Sequence, residues 1–262
     1  MSNILSDAMM VEMMAKIQWP TEVKLFQPYE VGQITLADYA SCLAVKTFLH
    51  MAQVKFSLQL RTNAEHMSPT QSVPFIQVGP LTLSDFGPIV SFVASKGSGL
   101  SEHLEEQERA DMKAYVAMVT STLHNAELYV SWLDKETAET VTKERYGSPF
   151  PWPLNRVLPW IKQRAVRKSL SSIGWADKTT DQVCEEIRTC CQALSEKLGD
   201  QAYFMGDLPT ELDALVYGHL FTLITTHLPS LPLSQIVQSF PNLNEYCRRI
   251  DEDYFHEMLP DS

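Results

Sequence analysis

The sequence predicts an α+β domain followed by an all-helical domain. Three observations carry this. Short strand-like and helix-like segments alternate up to Lys96, Gly97-Ser98-Gly99 then breaks the pattern, and only helical periodicity survives beyond it. The expected boundaries are a helix over residues 1–18, a first domain over 19–97 and an all-helical second domain over 98–262.

The opening segment, Met1 to Gln18, is helix-permissive and apolar on nearly every side, with interruptions at Ser6, Asp7, Glu12 and Lys16. Such a helix packs against something on more than one side. Trp19-Pro20 ends it, because proline disfavours helical geometry in the residue before it. It lacks the basic region and cleavage site of a signal peptide and the arginines of a transit peptide. Its methionines suit an irregular apolar surface, either on its own helical domain or on a partner.

Next come a short strand at Val23–Phe26, a helix at Leu36–Met51 and an alternating strand at Val54–Leu60. A loop with a short helix leads to two further strands, Val73–Val78 and Leu81–Leu83, split by the hairpin punctuation Gly79-Pro80. Ser84 and Asp85 then open a helix to about Lys96, with Asp85 where the helix dipole favours an acid. The order β-α-β-(short helix)-β-β-α is a thioredoxin-like arrangement.

Helical spacing then marks Glu102–Leu133, Asn155–Ser172, Thr179–Leu198, Thr210–His227 and Pro241–Phe255. Between the first two, Tyr146–Leu154 carries Pro149, Pro151 and Pro153 and is expected to form an extended connection. The most apolar stretch, Ala214–Leu228, contains Tyr217, His219 and His227 and is shorter than the roughly 20 residues that span a bilayer. No segment is expected to cross a membrane.

Composition narrows the function. A chain of 262 residues with 45% hydrophobic and 10% aromatic content can bury a substantial core. Its 21 basic residues face 32 carboxylates, a formal charge of −11, so its surface repels polynucleotides and nucleic acid is not an expected partner. The five cysteines, Cys42, Cys184, Cys190, Cys191 and Cys247, form no C-x-x-C pair and read as reduced thiols. Adjacent Cys190 and Cys191 point about 100° apart on a helix, so neither a disulfide nor a two-ligand metal site follows. No cofactor or metal is expected.

Two motifs carry structural weight. Pro74 starts a strand, where proline is a poor choice inside a sheet, and is expected to be cis so that the next strand enters antiparallel. Thr210-Glu211-Leu212-Asp213 is a capping box: a hydroxyl at the helix entrance and a carboxylate that reaches back to the entrance amide. A cis-proline strand in the first domain and such a box deep in a helical second domain together point to a glutathione-transferase-like fold.

Along nearly its whole length the sequence resembles the metaxin family, most closely its metaxin-2 branch. The stretches that carry this are Asn63–Pro69, Val73-Pro-Phe-Ile76, Phe86-Gly-Pro-Ile-Val90, Arg145–Asn155, Ile173-Gly-Trp175, Pro209–Val216 and Cys247-Arg-Arg-Ile250. The proline-tryptophan run within Arg145–Asn155 discriminates most, since generic glutathione transferases lack it. The resemblance implies a non-enzymatic adaptor, peripheral on the cytosolic face of the mitochondrial outer membrane. It also implies pairing with a metaxin-1-like protein, a role with the β-barrel sorting and assembly machinery, and a link to mitochondrial transport through Miro and kinesin light chain. Metaxin-1-like chains carry a C-terminal membrane anchor; this sequence shows none before Ser262, as expected of the metaxin-2 branch.

The rival expectation is a glutathione transferase or glutathione-binding protein. Such a site needs a hydroxyl or thiol just after the first strand to stabilise a thiolate, and Tyr29, Tyr39, Ser41 and Cys42 are all nearby. It also needs an anion site at the third helix, usually an acid followed by a serine. Here the order is Ser84 then Asp85, which places a negative side chain where the peptide carboxylate must bind. Pro88 removes an amide donor from the same first turn. No catalytic residue is therefore expected.

A last feature is a candidate partner or membrane surface. Between Arg145 and Ala176 there are six cations and no carboxylate. Arg156, Lys162, Arg164, Arg167 and Lys168, with Trp160, form a basic helix suited to anionic headgroups or an acidic partner. These cations form no clean stripe on the helical wheel, and a solvated face paired to acids elsewhere is the alternative.

Overall fold

A computed structural model describes residues 19, 22–229 and 233–256. The expected helix over residues 1–18 lies outside the described residues. Four strands form one sheet: β1 (Val23–Gln27), β2 (Phe56–Leu60), β3 (Phe75–Val78) and β4 (Leu81–Ser84), in the order β2-β1-β3-β4. β1 pairs parallel with β2, across the crossover helix α1 (Leu36–Met51), and antiparallel with β3, which pairs antiparallel with β4. A short α2 (Ala64–Met67) precedes β3. The strand read from Val54 begins two residues later, because the Val54 amide donates to the Leu49 carbonyl at 2.9 Å and closes the end of α1.

The Val73–Pro74 bond is cis, as expected, and so is Trp152–Pro153. Gly79 makes the β3–β4 turn with φ +58°, a conformation an L side chain resists. After β4, α3 (Phe86–Val93) runs into a wider π-type turn over Ala94–Ser98, where Gly97 breaks the helix with φ +79°.

The remainder is helical. α4 (Glu106–Val119) and α5 (Asn125–Trp132) are joined by a π segment at Thr120–His124, so the long helix expected from Glu102 exists but starts later. Glu105 and Glu108 cap its entrance, the Glu105 amide donating to Glu108 at 2.9 Å. The turns α6 (Lys135–Thr137) and α7 (Lys143–Gly147), which periodicity did not reveal, lead to α8 (Leu154–Ser172). α9 (Thr180–Leu198), α10 (Glu211–Thr225), α11 (Leu233–Gln238) and α12 (Pro241–Phe255) follow among the described residues.

The proline-rich link before α8 is not extended. Phe150 N–H donates to Gly147 at 3.0 Å and Asn155 N–H to Pro151 at 3.2 Å, so the prolines shape consecutive turns instead of a straight strap. Each proline fixes its own φ near the value a turn needs, which is why three of them fold the link rather than stretch it.

The two parts share one core. Val23, Leu25, Ile76 and Val78 of the sheet, Phe48 and Leu49 of α1, Phe92 of α3 and the buried run of α10 belong to one continuous apolar cluster. The other face of β1 and β3 is covered by a smaller cluster in which Phe26 and Phe75 stack at 4.7 Å beside Cys42. All five cysteines are free thiols.

Candidate functional site

The sheet, the cis-proline loop and α3 meet the helical part at a cleft of about 360 Å³, lined among others by Asp38, Ser41, Pro74, Asp85, His124 and His219. In a thioredoxin-like domain this is where a thiol peptide would lie, so each group needed to hold one can be located.

Four groups lie near the thiol position, and two of them are shifted away from an anion. Tyr29 points outward, with 45% of its surface exposed. Tyr39 is half-buried on α1, and desolvation followed by the Glu30 carboxylate pushes its phenol up. Cys42 is fully buried, and burial followed by the neighbouring Asp38 holds its thiol well above the ordinary range. Both shifts oppose an anion, whereas thiolate chemistry requires one to be favoured. Ser41 lines the cleft. The loop before α1 is tied down by Glu30, which accepts from Gln27 at 2.8 Å and Lys46 at 2.6 Å.

At the anion position stands Asp85, with φ +68° and an exposed side chain. It stands at the entrance of α3, where an acid was expected to meet the helix dipole, but makes no capping hydrogen bond; its carboxylate accepts the Ser72 hydroxyl at 2.6 Å. The left-handed backbone turns the side chain away from the helix amides and towards the loop before Pro74. Ser84 is buried and engaged by Thr70 at 2.9 Å. An incoming carboxylate would meet a fixed negative charge.

Deeper in, Glu127 of α5 and His219 of α10 form a buried pair, with 2.8 Å between Oε1 and Nδ1. Desolvation drives the Glu127 carboxyl well up and the His219 imidazole down to about 4, so burial favours the neutral form of each. His124 lies beside them, its ring 6.1 Å from that of His219. Sequence reasoning missed this pair. The available signal was one acid inside Ala126–Trp132 and one histidine inside Leu212–Leu223, each surrounded by apolar residues.

The basic segment divides in two. Lys162 turns inward and pairs with Glu65 of α2, which also accepts the Tyr146 hydroxyl at 2.8 Å. Asp38, held by the Thr35 hydroxyl at 2.7 Å, faces the same ammonium. Arg145 also turns inward and donates to the Ile34 carbonyl at 3.4 Å. These two cations bind the helical part to the sheet. Arg156, Arg164, Arg167 and Lys168 are exposed on α8, and with Lys162 assigned to the interior they fall on its solvent side with Trp160.

The capping box is closed around Asp213. Its Oδ2 accepts the Thr210 amide and hydroxyl, both at 2.8 Å, and its Oδ1 accepts the Phe204 amide at 2.9 Å and the Tyr246 hydroxyl at 3.2 Å. Thr210 and Asp213 are fully buried, so the box anchors α10, the loop before it and α12 at one carboxylate.

Residues 42–163 match the family model of an outer mitochondrial membrane transport complex protein, and residues 187–250 match a glutathione S-transferase C-terminal domain. Over 255 residues the chain is 47% identical to metaxin-2 of Homo sapiens, covering 97% of both sequences. The chain belongs to the metaxin family. A metaxin-2 homolog of Caenorhabditis elegans is 42% identical over 86% of this metaxin and 96% of its own length. Metaxin-1 of Mus musculus is 28% identical over 81% of this metaxin and 69% of its own length.

Among solved structures, a glutathione transferase family member from Pseudomonas fluorescens superposes with TM-score 0.59 at 14% identity, covering 92% of this metaxin and 93% of that chain. Apo glutathione S-transferase III superposes with TM-score 0.55 at 17% identity, covering 92% and 100%. The metaxin thus has a glutathione-transferase-like fold and belongs with outer mitochondrial membrane transport complex proteins. No helix among its described residues is long and apolar enough to cross a membrane.

Proposed function

We propose that this metaxin is a non-enzymatic adaptor subunit of a transport complex at the mitochondrial outer membrane, held peripherally on the cytosolic face. The observation that carries the reading is the cleft itself. Two of the groups placed to hold a thiolate, Tyr39 and Cys42, are shifted towards their neutral forms, and Asp85 stands beside the cleft where a peptide carboxylate would bind. A groove so arranged leaves outer surfaces as the working parts.

The reading extends, as the family resemblance implies, to pairing with a metaxin-1-like chain, to β-barrel sorting and assembly, and to Miro- and kinesin light chain-linked transport. It is supported by the likeness to metaxin-2 over nearly the full chain and by the match to an outer-membrane transport family. The test has two arms. The purified chain should pass through immobilised glutathione without retention. Tagged in mitochondria, it should co-purify with a metaxin-1-like chain, and its depletion should slow β-barrel assembly. Glutathione retention with conjugating activity that is lost in Ser41→Ala or Tyr29→Phe would replace the adaptor reading with a transferase.

A further inference from the structure

We propose that the solvent face of α8 seats directly on an anionic phospholipid surface. This deepens the adaptor reading and rests on its placement at a membrane, because it names the face and the ligand that would hold the chain there.

The face is built by spacing. Val157, Trp160, Ile161, Arg164 and Lys168 recur at intervals of three and four and so share one side of the helix, while Pro159, Val166 and Leu170 are buried on the other. Large apolar surface is left in water: Trp160 is 53% exposed, Ile161 50%, and Trp152, just before the helix, 81%. Isolated exposed apolar residues need no explanation, but a row of them along one helix does.

The exposed cations on this face form no ion pair among the described residues. Among the described residues, Arg156, Arg164, Arg167 and Lys168 have no carboxylate within 4.0 Å, and none lies in the sequence between Arg145 and Ala176. Their partners in the chain would have been plentiful, since it carries a net −11. Pairing to acids elsewhere is seen, among the described residues, for Lys162 and not for these four. Arg164 lies over the Trp160 ring at 4.8 Å, so indole and guanidinium present one combined surface.

Anionic headgroups match this chemistry better than a protein does. Tryptophan favours the boundary between headgroup and acyl chain, and arginine and lysine are drawn to anionic lipid. A helix with apolar and cationic side chains together on its outer side, and no acid among them, lies in the interface plane with the apolar side chains dipped into it. Tryptophan and arginine also serve protein interfaces, whose rims are polar; the absence of any acid beside these cations is what favours an anionic lipid surface. This face offers neither acid nor amide side chain among the residues that project from it.

The test uses the purified full chain and two vesicle preparations: phosphatidylcholine alone, and phosphatidylcholine with about one third phosphatidylserine. Flotation should occur with the second only and weaken as salt is raised. Arg164→Ala should cut partitioning about fivefold, and adding Lys168→Ala should take the loss to about twentyfold. Trp160→Ala should also weaken it, while Arg109→Ala with Lys113→Ala, exposed cations on α4, should leave it unchanged. Circular dichroism and thermal unfolding matched to wild type establish that the α8 variants are folded, as expected of exposed positions. Arg167→Glu provides a second, independent variant. The proposal is overturned if folded wild type ignores anionic vesicles, binds neutral ones equally, or if the α8 variants bind like wild type. It is also overturned if the face instead holds an acidic protein or a second copy, seen as association without lipid that Trp160→Ala abolishes. Co-purification with a metaxin-1-like chain that persists when vesicle binding fails removes this inference and leaves the adaptor reading standing.

Discussion

Gly218 of α10 lies directly against Ala44 of α1: a Cβ added at Gly218 would stand 2.5 Å from the Ala44 amide nitrogen and 2.7 Å from its Cα. The obstacle is backbone, which cannot swing aside, and these are the two helices through which the sheet-bearing and helical parts meet. Gly218→Ala should therefore destabilise by about 2 kcal/mol or more through overpacking, outweighing the roughly 1 kcal/mol that alanine gains in a helix interior. Urea unfolding of the variant against wild type checks this; an unchanged or raised midpoint would show that α1 and α10 separate freely.

The Glu127–His219 pair sets a pH dependence with two arms. Folding raises the Glu127 pKa well above its ordinary 4.5 and lowers that of His219 from 6.5 to about 4, in both cases through burial. The Glu127 contribution is present at low pH and is lost as pH rises above 4.5 towards its folded value. The His219 contribution is present above 6.5 and is lost as pH falls towards about 4. Between 4.5 and 6.5 the two slopes oppose, so the pair predicts a plateau there, with a decline above it driven by Glu127 alone. Glu127→Gln keeps a donor to His219 and cannot ionise. Its stability relative to wild type should rise steadily as pH climbs above about 4.5 towards the raised folded value of Glu127. Unfolding midpoints of both proteins at several pH values measure it, and a difference independent of pH rejects the neutral pair.

These cases show where sequence reading reaches and where it stops. Period-two and helical spacing are local, so β1, α1, β3, β4 and α8 to α10 could be read from neighbours alone. Pro74 and Thr210–Asp213 were legible for the same reason, each being a short pattern with its own backbone consequence. Glu127 and His219 lie 92 positions apart and meet only through packing of α5 against α10. Lys162 and Arg164 are equivalent as sequence; which one turns inward depends on which side of α8 the core covers. The link after Tyr146 was misread because proline excludes helix without choosing between an extended path and a turn.

Lys162 answers to Glu65 and Asp38 at once, so its removal leaves two carboxylates facing each other at the joint between the two parts. Lys162→Ala should cost about 2 kcal/mol, less than the roughly 3–5 kcal/mol for a fully buried pair because this one is only partly shielded from water. Arg164→Ala, four residues on and exposed, should cost within about 0.5 kcal/mol. Adding Glu65→Gln to Lys162→Ala should recover part of the loss, because it removes one of the two opposed charges. A double-mutant cycle on chemical unfolding free energies reads this coupling, and simple additivity would deny it.

Asp213 collects four buried donors on two oxygens: the Thr210 amide and hydroxyl, the Phe204 amide and the Tyr246 hydroxyl. Each donor left without an acceptor in a buried site costs about 1–3 kcal/mol, and the losses do not simply add because Thr210 and Tyr246 can rotate. Tyr246 also keeps a second acceptor in the Asp213 carbonyl at 3.0 Å, which every substitution retains. The two amides cannot turn away, so Asp213→Ala should cost about 3 kcal/mol or more. Asp213→Asn keeps one acceptor oxygen but presents an amide N–H to a donor, so its loss should be intermediate. Thr210→Val, which removes only a hydroxyl, should cost about 1 kcal/mol. Guanidine unfolding of the three variants gives their order. If Asp213→Ala unfolded no more easily than Thr210→Val, the carboxylate would be only a local helix cap, and the tie it makes between α10, Phe204 and α12 would carry no stability.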